Sequence, residues 1–230
     1  MQRYLRQIAI HEIGEKGQKK LCGSKVFITG CGALGSMVAM QLAGAGIGEI
    51  GIADFDTIDV SNLQRQFFFF NDDIGKSKTD ILHQRIIQLN PEIKVNFHKE
   101  LITKKNAERI FCNYDFIIDA TDNPSSKLMI DEICLKLGLP CCIGGVSEFS
   151  GQIVTLVNKK LRYSELFQDI EESGLLPCSL GGVMGPAAGV CASIQAMETL
   201  KYLTGLNEQE KNTMIVFNLL KNDFHRFDLL

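Results

Sequence analysis

Apolar positions along the 230-residue chain change period from segment to segment. Lys25-Val26-Phe27-Ile28-Thr29 is a short β-branched and aromatic run that reads as a buried strand. Beyond a glycine-rich turn, Leu34, Val38 and Leu42 recur at helical spacing, and Ile50-Gly51-Ile52-Ala53 reads as a second strand. Leu82, Ile86 and Leu89 then share one face of a helix that begins near Lys76 and stops at Asn90-Pro91. Residues 93–98 predict a strand, 106–113 a short helix, and Phe116-Ile117-Ile118 another buried strand. A helix over about 125–137 is closed by Gly138, with Pro140 beyond. Strands follow at 140–145 and 152–157. Pro186 stands where a first helical residue would. Val190, Ile194, Met197 and Lys201 mark one side of a long helix ending near Gly205, and 214–217 is the last strand. Residues 1–24 read as a short helical arm with Ile8, Ile10 and Ile13 among polar residues.

Strands alternating with helices predict an α/β fold. The expected form is Rossmann-like and doubly wound, with a largely parallel sheet, helices on both faces and a C-terminal antiparallel extension. No repeat, low-complexity tract or linker divides the chain, so 1–230 reads as a single domain. Between 158 and 182 the periodicity fades, which predicts a mobile crossover loop carrying Cys178. A hydrophobic share of 45% against 22% charged residues permits a sizeable core. Net charge is −3 and no dense basic run is present, which argues against nucleic acid as a partner. No apolar run approaches a membrane span, and the N-terminus lacks a signal peptide's apolar core. None of the eight cysteines forms a C-x-x-C pair, and most lie in apolar runs. That pattern predicts a reduced, cytoplasmic protein with buried thiols.

The chemistry concentrates at predicted strand ends. Gly30-Cys31-Gly32-Ala33-Leu34-Gly35 is a G-x-G-x-x-G turn set between a strand and a helix. Such glycines close the backbone tightly and let a phosphate approach the helix N-terminus. Asp54 follows about 20 residues later, where an acid accepts bonds from ribose hydroxyls. Lys76 and Lys78 open the next helix, although the helix dipole disfavours a cation there. An anion between them and the glycine turn would offset that cost. Asp122 and Asn123 follow a strand and belong on the same rim as Gly30 and Asp54. With Asn62 and Arg65, the rim holds more cations, and a metal-type carboxylate, than hydride transfer needs. Nucleotidyl transfer from ATP does call for them: Lys and Arg hold phosphates while Asp122 helps hold Mg²⁺.

With these residues the sequence resembles the ubiquitin-activating-enzyme-like superfamily, in its small bacterial branch of ThiF, MoeB and HesA type. The motifs carrying the resemblance are Arg3-Tyr4-Leu5-Arg6-Gln7, the glycine turn, Asp54-Phe55-Asp56 and Ser61-Asn62-Leu63-Gln64-Arg65-Gln66. They continue with Gly75-Lys76-Ser77-Lys78, Thr121-Asp122-Asn123, and Gly185-Pro186 through Gln195-Ala196-Met197-Glu198. Their order covers nearly the whole chain. The resemblance implies a homodimeric adenylyltransferase that activates the C-terminal glycine carboxylate of a small ubiquitin-like sulfur carrier ending in Gly-Gly. It implies ATP and Mg²⁺ as cofactors, in a thiamin, molybdopterin or related sulfur-transfer pathway. By resemblance Gly30, Gly32, Ala33, Gly35, Asp54, Asp56, Ser61, Asn62, Leu63, Gln64, Arg65, Lys78, Asp122 and Asn123 surround the nucleotide. Asp122 is matched to the Mg-linked aspartate, and Arg6 to an arginine that reaches the phosphates from the partner subunit. Cys178 is matched to a cysteine that some members use for a thioester or persulfide-derived link and others do without. Many relatives hold a structural zinc on two C-x-x-C pairs; this chain has neither pair, and no structural zinc is expected. The alternatives are adenylation of a peptide or modified-nucleoside carboxylate, a non-catalytic dimer partner, and a NAD-dependent oxidoreductase.

Overall fold

The computed structural model of the chain describes residues 2–158, 160–167, 182–206 and 211–229. The strands are β1 Lys25–Thr29, β2 Glu49–Ala53, β3 Lys94–His98, β4 Phe116–Asp119, β5 Cys141–Ser147, β6 Ser150–Leu156, β7 Asn212–Asn218 and β8 Asp223–Leu229. The helices are α1 Leu5–Ile8, α2 Gly14–Gly23, α3 Ala33–Ala45, α4 Lys78–Leu89, α5 Ala107–Phe111, α6 Pro124–Leu137, α7 Tyr163–Leu166 and α8 Gly185–Thr204. Among the described residues the strands form one sheet in the order β3-β2-β1-β4-β5-β6-β7-β8. Pairing is parallel from β3 through β5 and antiparallel from β5 through β8.

Side chains alternate faces along a strand, so β1 and β4 feed two cores at once. Val26, Ile28, Phe116 and Ile118 pack beneath α3, α4 and α8. Phe27 and Ile117 join the opposite core with α5 and α6. Parallel strands buried on both faces need helices on both sides, and each fully buried Ile or Phe contributes roughly 1.5–3 kcal/mol. The chain winds outward from β1 to β2 and β3, then returns to place β4 on the other side of β1. That reversal opens a crevice between the carboxyl ends of β1 and β4, where open α/β sheets bind ligands.

The structure departs from the hydrophobic pattern at three places. In α4 the core positions are Ile81, Leu82 and Ile86, whereas Leu89 is exposed. The space at that level is taken by Asn90, whose Nδ2 donates to Tyr4 Oη at 2.8 Å and to Ala43 O at 3.0 Å. In α8 the large residues Val190 and Ile194 are only partly buried at the margin of the core, and Met197 is exposed. The buried side carries Ala187, Ala188, Cys191, Ala192, Gln195 and Ala196, because α8 lies close against α3 and only small side chains fit between them. Finally, the strand read at 214–217 is not the last. β8 pairs with β7 across a hairpin, with Asn222 at φ 57° in the turn. Its side chains are exposed except the last, so no buried stripe announces it. Within the predicted loop at 158–182, Tyr163–Leu166 is helical, and Tyr163 N donates to Asp131 Oδ2 at 3.0 Å. Cys178 lies outside the described residues.

The N-terminal arm is helical, as expected, and docks at the far end of α3 from the glycine turn. Tyr4 is buried against Gly46, which ends α3 at φ 86°; a methyl group there would come 2.5 Å from the Tyr4 ring. Gln7 Nε2 donates to Ala45 O at 3.0 Å, and Arg3 Nη1 to Leu89 O at 2.7 Å.

Candidate active site

The 30–35 turn joins β1 to α3 by contacts that only glycine permits. Gly30 has φ 87°, and a methyl group on it would stand 2.9 Å from Ala120 O. One on Gly35 would stand 1.8 Å from Gly30 O. Gly35 therefore lies behind the cavity as a packing position rather than on its wall. Gly32 begins α3 without any side-chain cap, so the first-turn N–H groups of the helix face the crevice with their partial positive charge. Cys31 in the same turn is fully buried. Burial, with the Asp54 carboxylate beside it, pushes its thiol well above the usual range, so it stays protonated and is no nucleophile.

Asp54 follows β2 and is locked toward this turn. Its Oδ2 accepts from Cys31 N at 2.7 Å and its Oδ1 from Asp56 N at 2.8 Å. Lys78 is the first residue of α4, and its side chain is almost fully buried. Its Nζ donates to Asp56 Oδ2 at 2.8 Å, which supplies a counter-charge to a cation placed at the wrong end of a helix dipole. Lys76, expected beside it, instead points to solvent with Nζ 3.7 Å from Asp73 Oδ1. Asn62 closes a short 3₁₀ turn over Val60–Asn62: its Oδ1 accepts from Asp59 N, while Asp59 Oδ1 accepts from Ser61 N. That turn sets the start of the next, in which Arg65 Nη1 donates to Ser61 O at 2.9 Å. Ser61 and Leu63 serve this scaffold, Leu63 by packing on the core.

Asp122 projects from the loop after β4 and is exposed. Asn123 caps α6, its Oδ1 accepting from Ser126 N at 2.8 Å, so that oxygen is already engaged. The loop is anchored from below by Lys127. Its Nζ donates to Asp119 Oδ2 at 3.0 Å, Thr121 O at 2.8 Å and Gly144 O at 2.6 Å. Asp119, fully buried, also accepts from Thr121 N and Oγ1 through Oδ1. Gln195 of α8 adds Nε2 bonds to Asp119 O and Cys142 O. Two charges are thus enclosed where the carboxyl ends of β4 and β5 meet, with every Lys127 proton engaged.

These pieces surround one cavity of about 810 Å³, large enough for a nucleotide and part of a second substrate. Gly30, Gly32, Ala33, Asp54, Asp56, Asn62, Gln64, Arg65, Lys78, Asp122 and Asn123 line it, so most of the sequence-derived set converges. Arg6 does not reach it. Its neighbours Tyr4 and Gln7 touch the C-terminal end of α3, about 20 Å from the glycine turn by helix rise. The sequence reading missed the apolar residues Phe55, Leu101, Ile102 and Ile130 on the cavity wall. It also missed Gln66, Val146 and Val183 on the wall, and Lys127 beneath it. Phe55 and Gln66 stood in motifs already singled out; the others lie in ordinary strand ends, helices and loops. Among the described residues no cluster of three His, Cys, Asp or Glu side chains forms a metal centre. Asp122 alone would suit Mg²⁺, which takes one or two carboxylates and completes its shell with phosphates and water. No helix among the described residues is long and apolar enough to cross a membrane.

Comparison with known proteins bears out the family resemblance. The model of the ThiF family matches residues 4–229. The chain is 34% identical over 230 residues to a probable molybdopterin-synthase adenylyltransferase from Gracilaria tenuistipitata var. liui, covering 99% of this chain and 64% of that protein. It is 36% identical over 206 residues to the sulfur carrier protein ThiS adenylyltransferase of Escherichia coli, covering 89% of this chain and 82% of that one. The fold matches that of E. coli MccB solved with ATP, at a TM-score of 0.84 and 25% identity, over 99% of this chain and 71% of that one. The chain spans about half to two thirds of the length of several curated relatives it matches.

Proposed function

The chain belongs to the ThiF family, and from that we propose an ATP-dependent adenylyltransferase acting on the C-terminal glycine carboxylate of a small sulfur-carrier protein of ubiquitin-like fold. The names carried by its relatives, adenylyltransferases of sulfur carriers and of molybdopterin synthase, support that substrate class. The observation that carries the reading is one cavity holding a glycine turn, a ribose-type acid, two cations and an exposed carboxylate at the β1/β4 crevice.

A carboxylate cannot be displaced by a nucleophile because its leaving group would be oxide or hydroxide. Adenylation removes that obstacle. The carrier's terminal carboxylate oxygen forms a bond to the α-phosphorus of ATP, the bond from that phosphorus to the bridging oxygen breaks, and pyrophosphate departs with the electron pair. Charge accumulates on the departing phosphates, so catalysis rests on positioning and charge stabilisation. Asp54 holds the ribose hydroxyls, and the N-terminus of α3 receives phosphate oxygens. Arg65, Lys78 and Asn62 donate to the phosphate chain; Lys78 leaves Asp56 to do so. Asp122, with the phosphates, would hold a divalent cation, which neutralises charge on the departing group. The Val146 and Val183 end of the cavity is left for the carrier's tail. A NAD-dependent oxidoreductase would leave Asp122 and the cations without a task. Seven cysteines free of disulfides among the described residues suit a cytoplasmic setting.

We further propose a homodimer in which Arg6 completes the partner's cavity, because within one chain it lies a full helix length from the phosphates. ATP–pyrophosphate exchange tests both statements. Purified chain with a ThiS-type or MoaD-type carrier ending in Gly-Gly should catalyse Mg-dependent exchange; none with either carrier would overturn the activity. Arg6→Ala mixed with Asp122→Ala should recover up to a quarter of wild-type exchange, since statistical mixing gives half the dimers one intact composite site. No recovery despite demonstrated subunit exchange would refute sharing across the interface.

A further inference from the structure

Gln66 carries a local fault that the fold does not explain. It ends the Ser61–Gln66 motif, is 4% exposed, and contributes to the cavity wall. Its backbone is fully used: N–H donates to Asn62 O at 3.0 Å and the carbonyl accepts from Phe69 N at 3.1 Å. Its side-chain Oε1 is buried with no hydrogen-bond partner among the described residues. Buried polar atoms are paired in the great majority of cases, so each exception calls for a reason. The one other such atom among the described residues is Oε1 of Gln195, and that amide is accounted for by the two carbonyls its Nε2 holds together. Among the described residues no corresponding bond fixes the Gln66 amide. Its Nε2 lies instead beside the glycine turn, 3.7 Å from where a methyl group on Gly32 would stand. Around it are the uncapped first turn of α3, Arg65 and Asn62. A buried carboxamide whose oxygen has no partner among the described residues and whose nitrogen lies beside an anion-binding helix end is a donor held in readiness for a ligand.

We propose that Gln66 is a direct phosphate contact of this cavity, its Nε2 donating to an oxygen of the nucleotide's phosphate chain above the glycine turn. This rests on the nucleotide reading above and adds a residue to it. An amide keeps its donor at every pH and brings no charge, so it orders the chain of phosphates without adding to the electrostatic pull of Lys78 and Arg65. The unpaired oxygen is then a cost of stability accepted for binding.

The test separates binding from packing. Gln66→Met keeps the length of the side chain and removes both polar atoms. Without ligand, its melting temperature should lie about 2–4 °C above wild type, because an unpaired buried group has gone. Its affinity for Mg·ATP, read from ligand-induced thermal shifts or calorimetry without carrier, should fall about ten- to hundredfold, the range for a hydrogen bond to a charged group. Gln66→Glu, of the same shape, should lose at least as much affinity through repulsion of phosphate, and keeps the test usable if the methionine variant folds poorly. Wild type that binds Mg·ATP together with variants of equal affinity would overturn the role of Gln66 while leaving the nucleotide site standing. Wild type that fails to bind Mg·ATP would overturn both. A lower unliganded melting temperature with unchanged affinity would mark Gln66 as a packing residue and nothing more.

Discussion

Asp122→Ala should lower ATP–pyrophosphate exchange by about 10²–10³-fold, the usual cost of deleting one group that stabilises developing charge. Its melting temperature should stay close to wild type, because an exposed carboxylate outside the core typically shifts stability by less than about 0.5 kcal/mol. The two halves of the expectation belong together. Asp122 occupies the loop at the end of β4, and the parts that hold that loop in place, Asp119, Thr121 and Lys127, are all left intact. A loss of exchange with the fold preserved therefore speaks for the carboxylate itself. Asp122→Asn should lose nearly as much, since shape is kept and charge removed. Exchange within twofold of wild type in either variant would withdraw Asp122 from the chemistry.

What the chain discloses in its sequence depends on whether the physics is local. The strand, glycine turn, helix, strand and Asp54 are legible because alternating and helical periods are local, because Gly30 takes a positive φ, and because Gly35 meets the carbonyl of Gly30 within the same turn. The same holds for the helix closed by Gly138, which ends at φ 70°. Lys127 is the opposite case. A lysine in the first turn of a helix, after two serines, reads as a solvated charge; only the meeting of β4, β5 and α6 encloses it. The stripe of α8 is legible as a stripe, but not that Val190 and Ile194 reach only the margin of the core while the alanine side is fully buried. β8 stays hidden because its partner is β7's backbone, and backbone pairing leaves little trace in side-chain chemistry. Arg6 is legible as part of a motif, while its place relative to the cavity emerges only from the docking of Tyr4 and Gln7 on the end of α3.

The largest loss of stability is expected from Lys127→Met. The substitution removes the cation from a fully buried Asp119 and strips partners from two carbonyls, Thr121 O and Gly144 O. Breaking one side of a buried pair costs about 3–5 kcal/mol, chiefly because the remaining charge is stranded in a low-dielectric site. For a chain of this size that corresponds to a fall of roughly 10 °C in melting temperature. The cost should be specific to the stranded charge. In Asp119→Asn with Lys127→Met the neutral amide still accepts from Thr121 N and Oγ1, so the double variant should be more stable than Lys127→Met alone. Lys127→Arg should fall between, as a larger planar group in a space shaped for a point charge. Function should follow position: Thr121 O is the carbonyl just before Asp122, so loosening it lets the carboxylate drift from the cavity. At a temperature where the double variant is fully folded, its exchange rate should remain well below wild type, and the deficit should appear mainly in kcat. If Lys127→Met unfolds within about 1 kcal/mol of wild type, or the double variant is no more stable than it, the enclosed pair does not hold the end of β4 in the way argued here.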